Sequence, residues 1–358
     1  MEAESQSDGS VPMTGTSNGT YRALALQATC QAVNDAPDRE TAKDRMADSI
    51  ERLSRQIRSS KAFIGPDCRL VVLPEYFLTG YPTTESVDEW IEKAAVSPDG
   101  PEYDSLAEVA ADNDVFLAGN AYERDQHFPD LYFQTNFVID PSGETVLRYR
   151  RLYSLYTPTP FDVWDRYREH YDLGEIFPVA DTELGRLASV ASAEILHPEL
   201  VRCHAMRGAE VLVHPSSEAY SPRDTPRDLA KRARAFENSM YVISANTGGI
   251  TNSTIPAGST DGGSKVIDHK GRVVTEAGPG ESMAAYAEVD LAALRRARRR
   301  PGIENVLADQ RFDLVAESYA DYEFFPPNLL EEGPVERERF IEAQHETIDR
   351  LIEEGVFR

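Results

Sequence analysis

The stretch Leu187–Gly208 reads LASVASAEILHPELVRCHAMRG, and its chemistry divides it into three parts. Leu187 to Ala191 is an apolar run of strand length. From Pro198 to Gly208 the pattern is helical, with proline in the first turn, where its missing N–H is no loss, and glycine at the end. The residues between, Ser192 to His197, form a turn. Strand, turn and helix in direct succession point to a layered domain, and Ser192 stands just past the strand end, where such domains place functional side chains.

The same alternation continues outward in both directions. Further short apolar runs predict strands over Arg22 to Gln27, Leu70 to Leu73, Val115 to Ala121, Gln134 to Ile139, Val211 to His214, Tyr241 to Asn246, Ser264 to Ile267 and Ala284 to Val289. Amphipathic segments predict helices over Asp38 to Ser59, Glu102 to Ala111 and Thr225 to Asn238. Strands with interspersed helices define an α/β (α+β) class. No internal boundary shows before about Leu294, so the domains read as a disordered tail over 1–20, one domain over 21–294, and an extension over 295–358. That extension, with a charged amphipathic helix near Glu336 to Glu354, is expected to pack on the domain or on a partner subunit. In the tail, Gly15-Thr16-Ser17-Asn18-Gly19 matches the serine-hydrolase G-x-S-x-G pattern formally, but without the strand and helix that would make it an elbow.

Composition narrows the function. The 358 residues, 41% hydrophobic, suffice for a sizeable core. A formal charge of -24 excludes nucleic acid and anionic membrane as expected partners, because phosphate binding requires clustered cations. The one dense basic run, Leu294 to Gly302 (LRRARRRPG), is read as a helix end whose arginines meet acidic neighbours. Lysine occurs only at Lys43, Lys61, Lys93, Lys231, Lys265 and Lys270, and an acidic, lysine-poor surface suits a cytoplasm of high salt. Cys30, Cys68 and Cys203 are odd in number and lack CxxC spacing, which fits a reducing, cytoplasmic setting and no zinc site. No apolar run reaches the roughly 18 residues of a membrane span, and no export signal is visible.

Three segments carry candidate chemistry. In Leu73–Pro82 (LPEYFLTGYP), Glu75 follows a strand that would pin and partly desolvate its carboxylate, as suits a general base. The second segment is Gly143–Leu152 (GETVLRYRRL), and the third is the turn at Ser192. In this order and spacing, together with RARAFEN (232–238), YVISAN (241–246), GGS (262–264) and AEVD (287–290), they resemble the nitrilase superfamily of carbon-nitrogen hydrolases over roughly Tyr21 to Arg295.

The resemblance implies a four-layer α-β-β-α sandwich, assembly into homodimers or larger homo-oligomers, and neither metal nor organic cofactor. It also implies a site made of a glutamate base, a lysine and a cysteine nucleophile acting on an amide or nitrile carbon. Glu75 occupies the glutamate position. Arg151 stands where the family has lysine and Ser192 where it has cysteine, so two of the three residue types differ. A serine hydroxyl is several units weaker as an acid than a cysteine thiol, and each unit costs about 1.4 kcal/mol. Arg151 keeps the positive charge for an oxyanion but not lysine's proton exchange, and would tend to pair with Glu75. Ala193, through its N–H, His214 and Ser216 are the expected substrate-binding residues, and His214 is the best placed histidine to serve Ser192 as a base. A further acid from the loop 153–172 could be Asp162, Asp165 or Glu169.

Two functions therefore stand at this stage. One is hydrolysis of a small linear amide or carbamoyl compound by an atypical Glu75-Arg151-Ser192 site. The other is a non-catalytic relative that binds such a ligand or serves as an oligomeric partner. Two remaining signals are weak: Gly262-Gly263-Ser264-Lys265 only faintly resembles the amidase-signature serine enzymes, and no ligand cluster supports metal hydrolysis.

Overall fold

The computed structural model describes residues 19–330 and 337–358. In chain order its strands are β1 Thr20–Ala25, β2 Cys30–Gln31, β3 Cys68–Val72, β4 Phe116–Arg124, β5 Tyr132–Ile139, β6 Thr145–Arg150, β7 Ala180–Thr182, β8 Gly185–Ser189, β9 Val211–Pro215, β10 Tyr241–Ala245, β11 Ile250–Thr251, β12 Lys265–Ile267, β13 Val273–Glu276 and β14 Tyr286–Asp290. They build two six-stranded mixed sheets, ordered β14-β1-β3-β4-β5-β6 and β13-β12-β10-β9-β8-β7, while β2 and β11 pair separately. The sheets face each other, with β3 and β4 against β9, β6 against β8, and β1 against β10.

Alternation along the strands decides which side chain enters which layer. On β1, Tyr21, Ala23 and Ala25 join the core shared with the second sheet, whereas Leu24 points to the outer helices. Helix Arg39–Ile64 covers that outer face with Met46, Ile50, Leu53 and Ile57, each nearly or fully buried and each contributing about 1.5–3 kcal/mol. Its start is fixed by Asp38, whose carboxylate accepts the Thr41 N–H at 2.9 Å. Helix Pro101–Asn113 shares this layer, and Pro198–Met206 and Pro226–Glu237 pack into the core of the second sheet through Leu200, Val201, Ala205 and Ala235. The result is the four-layer α-β-β-α sandwich expected from the sequence.

Differences from the sequence reading have local causes. Strand β6, which leads directly to Arg151, was not anticipated because its sequence, TVLRYR, carries two arginines. It is the edge strand of the first sheet, where charge protects an exposed edge: Arg148 pairs with Glu123, and Arg150 with Asp125 at 2.5 Å. The first strand begins at Thr20, and the long first helix runs on to Ile64 rather than ending at Ser59. Helix Leu291–Arg299 straddles the boundary placed at 294, and its arginines meet an acid and backbone carbonyls: Arg295 grips Glu210 at 2.7 Å, and Arg298 donates to Ser239 O. The amphipathic segment of the extension is a helix over Arg337–Glu353. The G-x-S-x-G match and nearly all of the 1–20 tail lie outside the described residues. Among the described residues no helix is long and apolar enough to cross a membrane.

Candidate active site

Glu75 sits three residues past β3, fully buried, where its N–H donates to Ser216 O at 3.2 Å and so ties the end of β3 to the end of β9. Its carboxylate is used unevenly. Oε1 accepts from Gln134 Nε2 at 2.7 Å and from Arg151 Nη1 at 3.1 Å. Oε2, equally buried, makes no close hydrogen bond among the described residues, while the Tyr76 hydroxyl stands near enough to Glu75 and Arg151 to interact with both.

Arg151 follows β6 directly and reaches Glu75 as an ion pair nearly closed to solvent. The contact is through one nitrogen and one oxygen, not a bidentate clamp. Nη1 also donates to Gln134 Oε1 at 2.8 Å, and Nε donates to Tyr153 O at 2.7 Å. Burial works against the guanidinium charge, but Tyr76, Glu75 and Glu194 outweigh it and hold the group firmly protonated. The pairing expected from the sequence is therefore present, with the arginine fixed by three acceptors.

Ser192 opens a short 3-10 turn, Ser192–Leu196, immediately after β8 and Val190-Ala191. Its φ of 45° lies in the left-handed region, a conformation that costs a non-glycine residue about 1–2 kcal/mol and that persists only where the surroundings enforce it. The enforcement is visible: His214 Nε2 donates to Ser192 O at 2.8 Å, and His214 Nδ1 accepts from Ser244 Oγ at 2.9 Å. Ala193 occupies the first turn of the 3-10 segment, so its N–H belongs to the amides that such a start leaves without an intrahelical partner.

His214 is thus brought to Ser192, though not to its hydroxyl. Both ring nitrogens are occupied, and burial, reinforced by Lys231, pushes its pKa down to about 4. This geometry gives His214 a place in the wall of the site and no hydrogen bond to the Ser192 hydroxyl. Ser216 is likewise fully buried and turned away, donating its hydroxyl to Glu218 Oε1 at 2.9 Å. Glu218 in turn is held ionised against its burial by Lys231. The three acids considered in the loop 153–172 do not supply a further site carboxylate: Asp162 is spent on the N–H and hydroxyl of Thr159, and Asp165 and Glu169 are exposed.

Residues 26–299 match the sequence model of the carbon-nitrogen hydrolases, a span that contains every residue of this arrangement. The chain belongs to the carbon-nitrogen hydrolase family. It is 25% identical to the omega-amidase NIT3 of Saccharomyces cerevisiae over 290 residues, covering 81% of this chain and 94% of that protein. It is 29% identical to a nitrilase of Pyrococcus abyssi over 245 residues, covering 68% and 84%. Among solved structures, Saccharomyces cerevisiae Nit3 superimposes with a TM-score of 0.61 at 24% identity, over 78% of this chain and 93% of that one. A cysteine-to-serine mutant of the Nesterenkonia sp. AN1 amidase superimposes with a TM-score of 0.56 at 23% identity, over 83% and 97%.

Within this carbon-nitrogen hydrolase domain, sequence reasoning missed two features. Glu194, two residues after Ser192, is fully buried and accepts from Leu152 N at 2.7 Å, Tyr153 N at 3.1 Å, Tyr149 Oη at 3.0 Å and Ala191 N at 2.8 Å. It joins the turn after β8 to the backbone beside Arg151. The second is a chain of amides: Gln134 donates to Asn120 Oδ1 at 3.2 Å, Asn120 to Asn136 Oδ1 at 2.6 Å, and Asn136 to Ser189 Oγ at 2.7 Å. It runs from Glu75 across both sheets. A signal existed for each: a glutamate inside an otherwise apolar turn, and polar residues at period two within strands.

Proposed function

We propose that this chain binds a small amide or carbamoyl compound at Glu75, Arg151 and Ser192, and hydrolyses it through Ser192. The observation that carries the reading is Glu75 Oε2, which makes no close hydrogen bond among the described residues while Gln134 and Arg151 fix the other oxygen of the same buried carboxylate. An open acceptor on an anchored carboxylate is what a general base requires. The serine at positive φ gives the second support, because strained backbone enforced by its surroundings clusters at active sites.

In this mechanism Glu75 Oε2 takes the proton from Ser192 Oγ as the oxygen attacks the carbonyl carbon. The oxyanion is met by the Ala193 N–H and the Arg151 guanidinium. Collapse breaks the carbon–nitrogen bond, and Glu75 returns the proton to the departing nitrogen, which leaves as ammonia. Water then attacks the seryl ester, giving its proton to Glu75, and Ser192 recovers it as the acid departs. Activation of a hydroxyl by a carboxylate alone is demanding, since no histidine among the described residues hydrogen-bonds the Ser192 hydroxyl, so turnover is slow.

A second reading, non-catalytic binding of the same ligand, is favoured by one observation: Arg151 Nη1 already engages Glu75, and an arginine cannot exchange that proton during a cycle. Ammonia release from a panel of small amides separates the two. Release by the native chain, abolished by Ser192→Ala, supports hydrolysis; release only from Ser192→Cys combined with Arg151→Lys overturns it in favour of binding.

A further inference from the structure

We infer that Lys231 is a positioning residue of the site: through its buried ion pair with Glu218 it sets the place of one segment, 214–218, that holds both the turn of Ser192 and the backbone of Glu75. The inference rests on the reading of Glu75 and Ser192 as the working pair, but its test does not depend on turnover.

The two arms of the site meet on this segment. His214 Nε2 donates to Ser192 O at 2.8 Å, and two residues on, Ser216 O accepts the Glu75 N–H at 3.2 Å. Strand β9 ends at Pro215, so the course of the chain beyond it is set by what Ser216 and Glu218 touch. The Ser216 N–H still reaches Ala245 O at 2.8 Å, and its hydroxyl donates to Glu218 Oε1 at 2.9 Å. One side chain clamps the Glu218 backbone at both ends: its N–H donates to Asn246 Oδ1 at 2.9 Å, and its carbonyl accepts from Asn246 Nδ2 at 2.8 Å. The carboxylate of Glu218 is then gripped from helix Pro226–Glu237 by Lys231 Nζ.

A lysine only 1% exposed demands a reason, because such residues are almost never fully buried unless paired. Stability is a weak one: desolvating two charges costs about as much as their attraction returns, and what a buried pair can add is a fixed geometry. A compact ammonium suits the place, with Glu218 on one side and Asp228 Oδ1 at 3.8 Å on the other. Asp228 is already taken by Lys265 at 2.5 Å, which leaves Glu218 as the partner that Lys231 holds closely. The pair also lies near enough to β9 for both charges to act on the His214 imidazole, Lys231 opposing its protonation and Glu218 favouring it. Lys231 thus reaches the Glu75 contact through two hydrogen bonds, by way of Glu218 and the Ser216 hydroxyl, and the Ser192 contact through the strand that carries His214.

Three full-length variants test this by amide hydrogen exchange and urea unfolding, with ammonia release from propionamide measured alongside. Lys231→Met strands the Glu218 charge. Glu218→Leu/Lys231→Met removes both charges, and its unfolding midpoint should lie at or above that of Lys231→Met. Ser216→Ala keeps the pair and cuts its link to the end of β9. In all three the Glu75 amide is expected to exchange at least tenfold faster than in the native chain, while β9 and β10 keep their protection. Where the native chain releases ammonia, kcat should fall about tenfold with KM little changed, as misplaced reacting groups require. Unchanged exchange at Glu75 in Ser216→Ala and in the double variant overturns the inference and leaves the pair as packing. Exchange that rises at Glu75 and throughout β9 and β10 together also overturns it, since the loss is then one of fold. Faster exchange with kcat unchanged overturns it as well, because the site would be indifferent to this contact. A native chain that releases no ammonia removes the hydrolytic reading, while the exchange result still decides whether Lys231 positions Glu75.

Discussion

His214 Nε2 lies 2.8 Å from the carbonyl oxygen of Ser192, so this imidazole holds the backbone of the turn rather than its hydroxyl. The distinction matters because the bond needs the Nε2–H, while Nδ1 must stay unprotonated to accept from Ser244 Oγ. A neutral imidazole satisfies both contacts; in an imidazolium Nδ1 would change from acceptor to donor, and the Ser244 hydroxyl would have to turn to accept from it.

The first prediction follows from that protonation state. The folded pKa of His214 is about 4, below its ordinary 6.5, chiefly through burial and then through Lys231, with Arg227 adding to it and Glu218 opposing. Between those values the unfolded chain binds the proton and the folded chain does not. Stability contributed by His214 is therefore complete above pH 6.5 and is lost as pH falls toward 4, by about 3 kcal/mol. His214→Gln can still donate an N–H to Ser192 O but cannot titrate. Urea unfolding at pH 7 and pH 4.5 should show the native chain losing roughly 2 kcal/mol more than the variant; parallel losses would mean His214 does not govern the acid limb.

The second prediction concerns the left-handed backbone at Ser192. Glycine adopts this region freely, alanine does not. Ser192→Gly should be more stable than Ser192→Ala by about 1 kcal/mol, although glycine is ordinarily the less stable of the two. Both should be equally inactive in ammonia release. If the alanine variant proved the more stable, the strain assigned to this turn would be absent.

The fold was legible because its signal is periodic. Alternating and helical patterns such as Ala23-Leu24-Ala25 and Met46-Ile50-Leu53-Ile57 arise from one-sided burial, which the sequence records residue by residue. Within the candidate site, the pairing of Glu75 with Arg151 was legible from their places just past two strand ends. What escaped was pairing across distance. Nothing in EIL marks Glu194 as the acceptor of two amides more than 40 positions away, and nothing in LYFQTNF marks Gln134 as the residue that fixes Glu75. The contact made by His214 stayed open for a related reason: proximity to Ser192 was inferable from chain order, but which atom of Ser192 it meets depends on the turn's positive φ.

The third prediction weighs the Glu75–Arg151 pair. Removing one partner leaves the other charged and buried, which is costlier than the pair was valuable. Arg151→Met should destabilise by about 3–5 kcal/mol. Glu75→Gln should cost less, because a glutamine carbonyl can still accept from Arg151 Nη1 and Gln134 Nε2. The combined Glu75→Gln/Arg151→Met chain should recover at least 1 kcal/mol relative to Arg151→Met alone, read from denaturant midpoints at constant slope. Strict additivity would show that the two charges do not sense each other.

The fourth prediction tests Glu194 as the anchor of the turn. Its two oxygens receive four donors: Leu152 N, Tyr153 N and Tyr149 Oη on Oε1, and Ala191 N on Oε2. Burial raises its pKa, outweighing the opposite pull of Arg151 and of these donors. Glu194→Gln replaces one acceptor by an N–H2 that faces a backbone N–H whichever way the amide is turned. About 2–3 kcal/mol should be lost, from one donor left unmatched and from weaker hydrogen bonds to the remaining oxygen. Tyr149→Phe removes a donor without introducing a conflict and should cost only about 1 kcal/mol. Because Glu194 links Leu152 and Tyr153 to the residue before Ser192, the Gln variant should also lose amide hydrogen-exchange protection at Leu152, Tyr153 and Ala191 together, ahead of the strands on either side. Loss at Ala191 alone would show that the two segments are held independently, and that Glu194 does not couple the loop of Arg151 to the turn of Ser192.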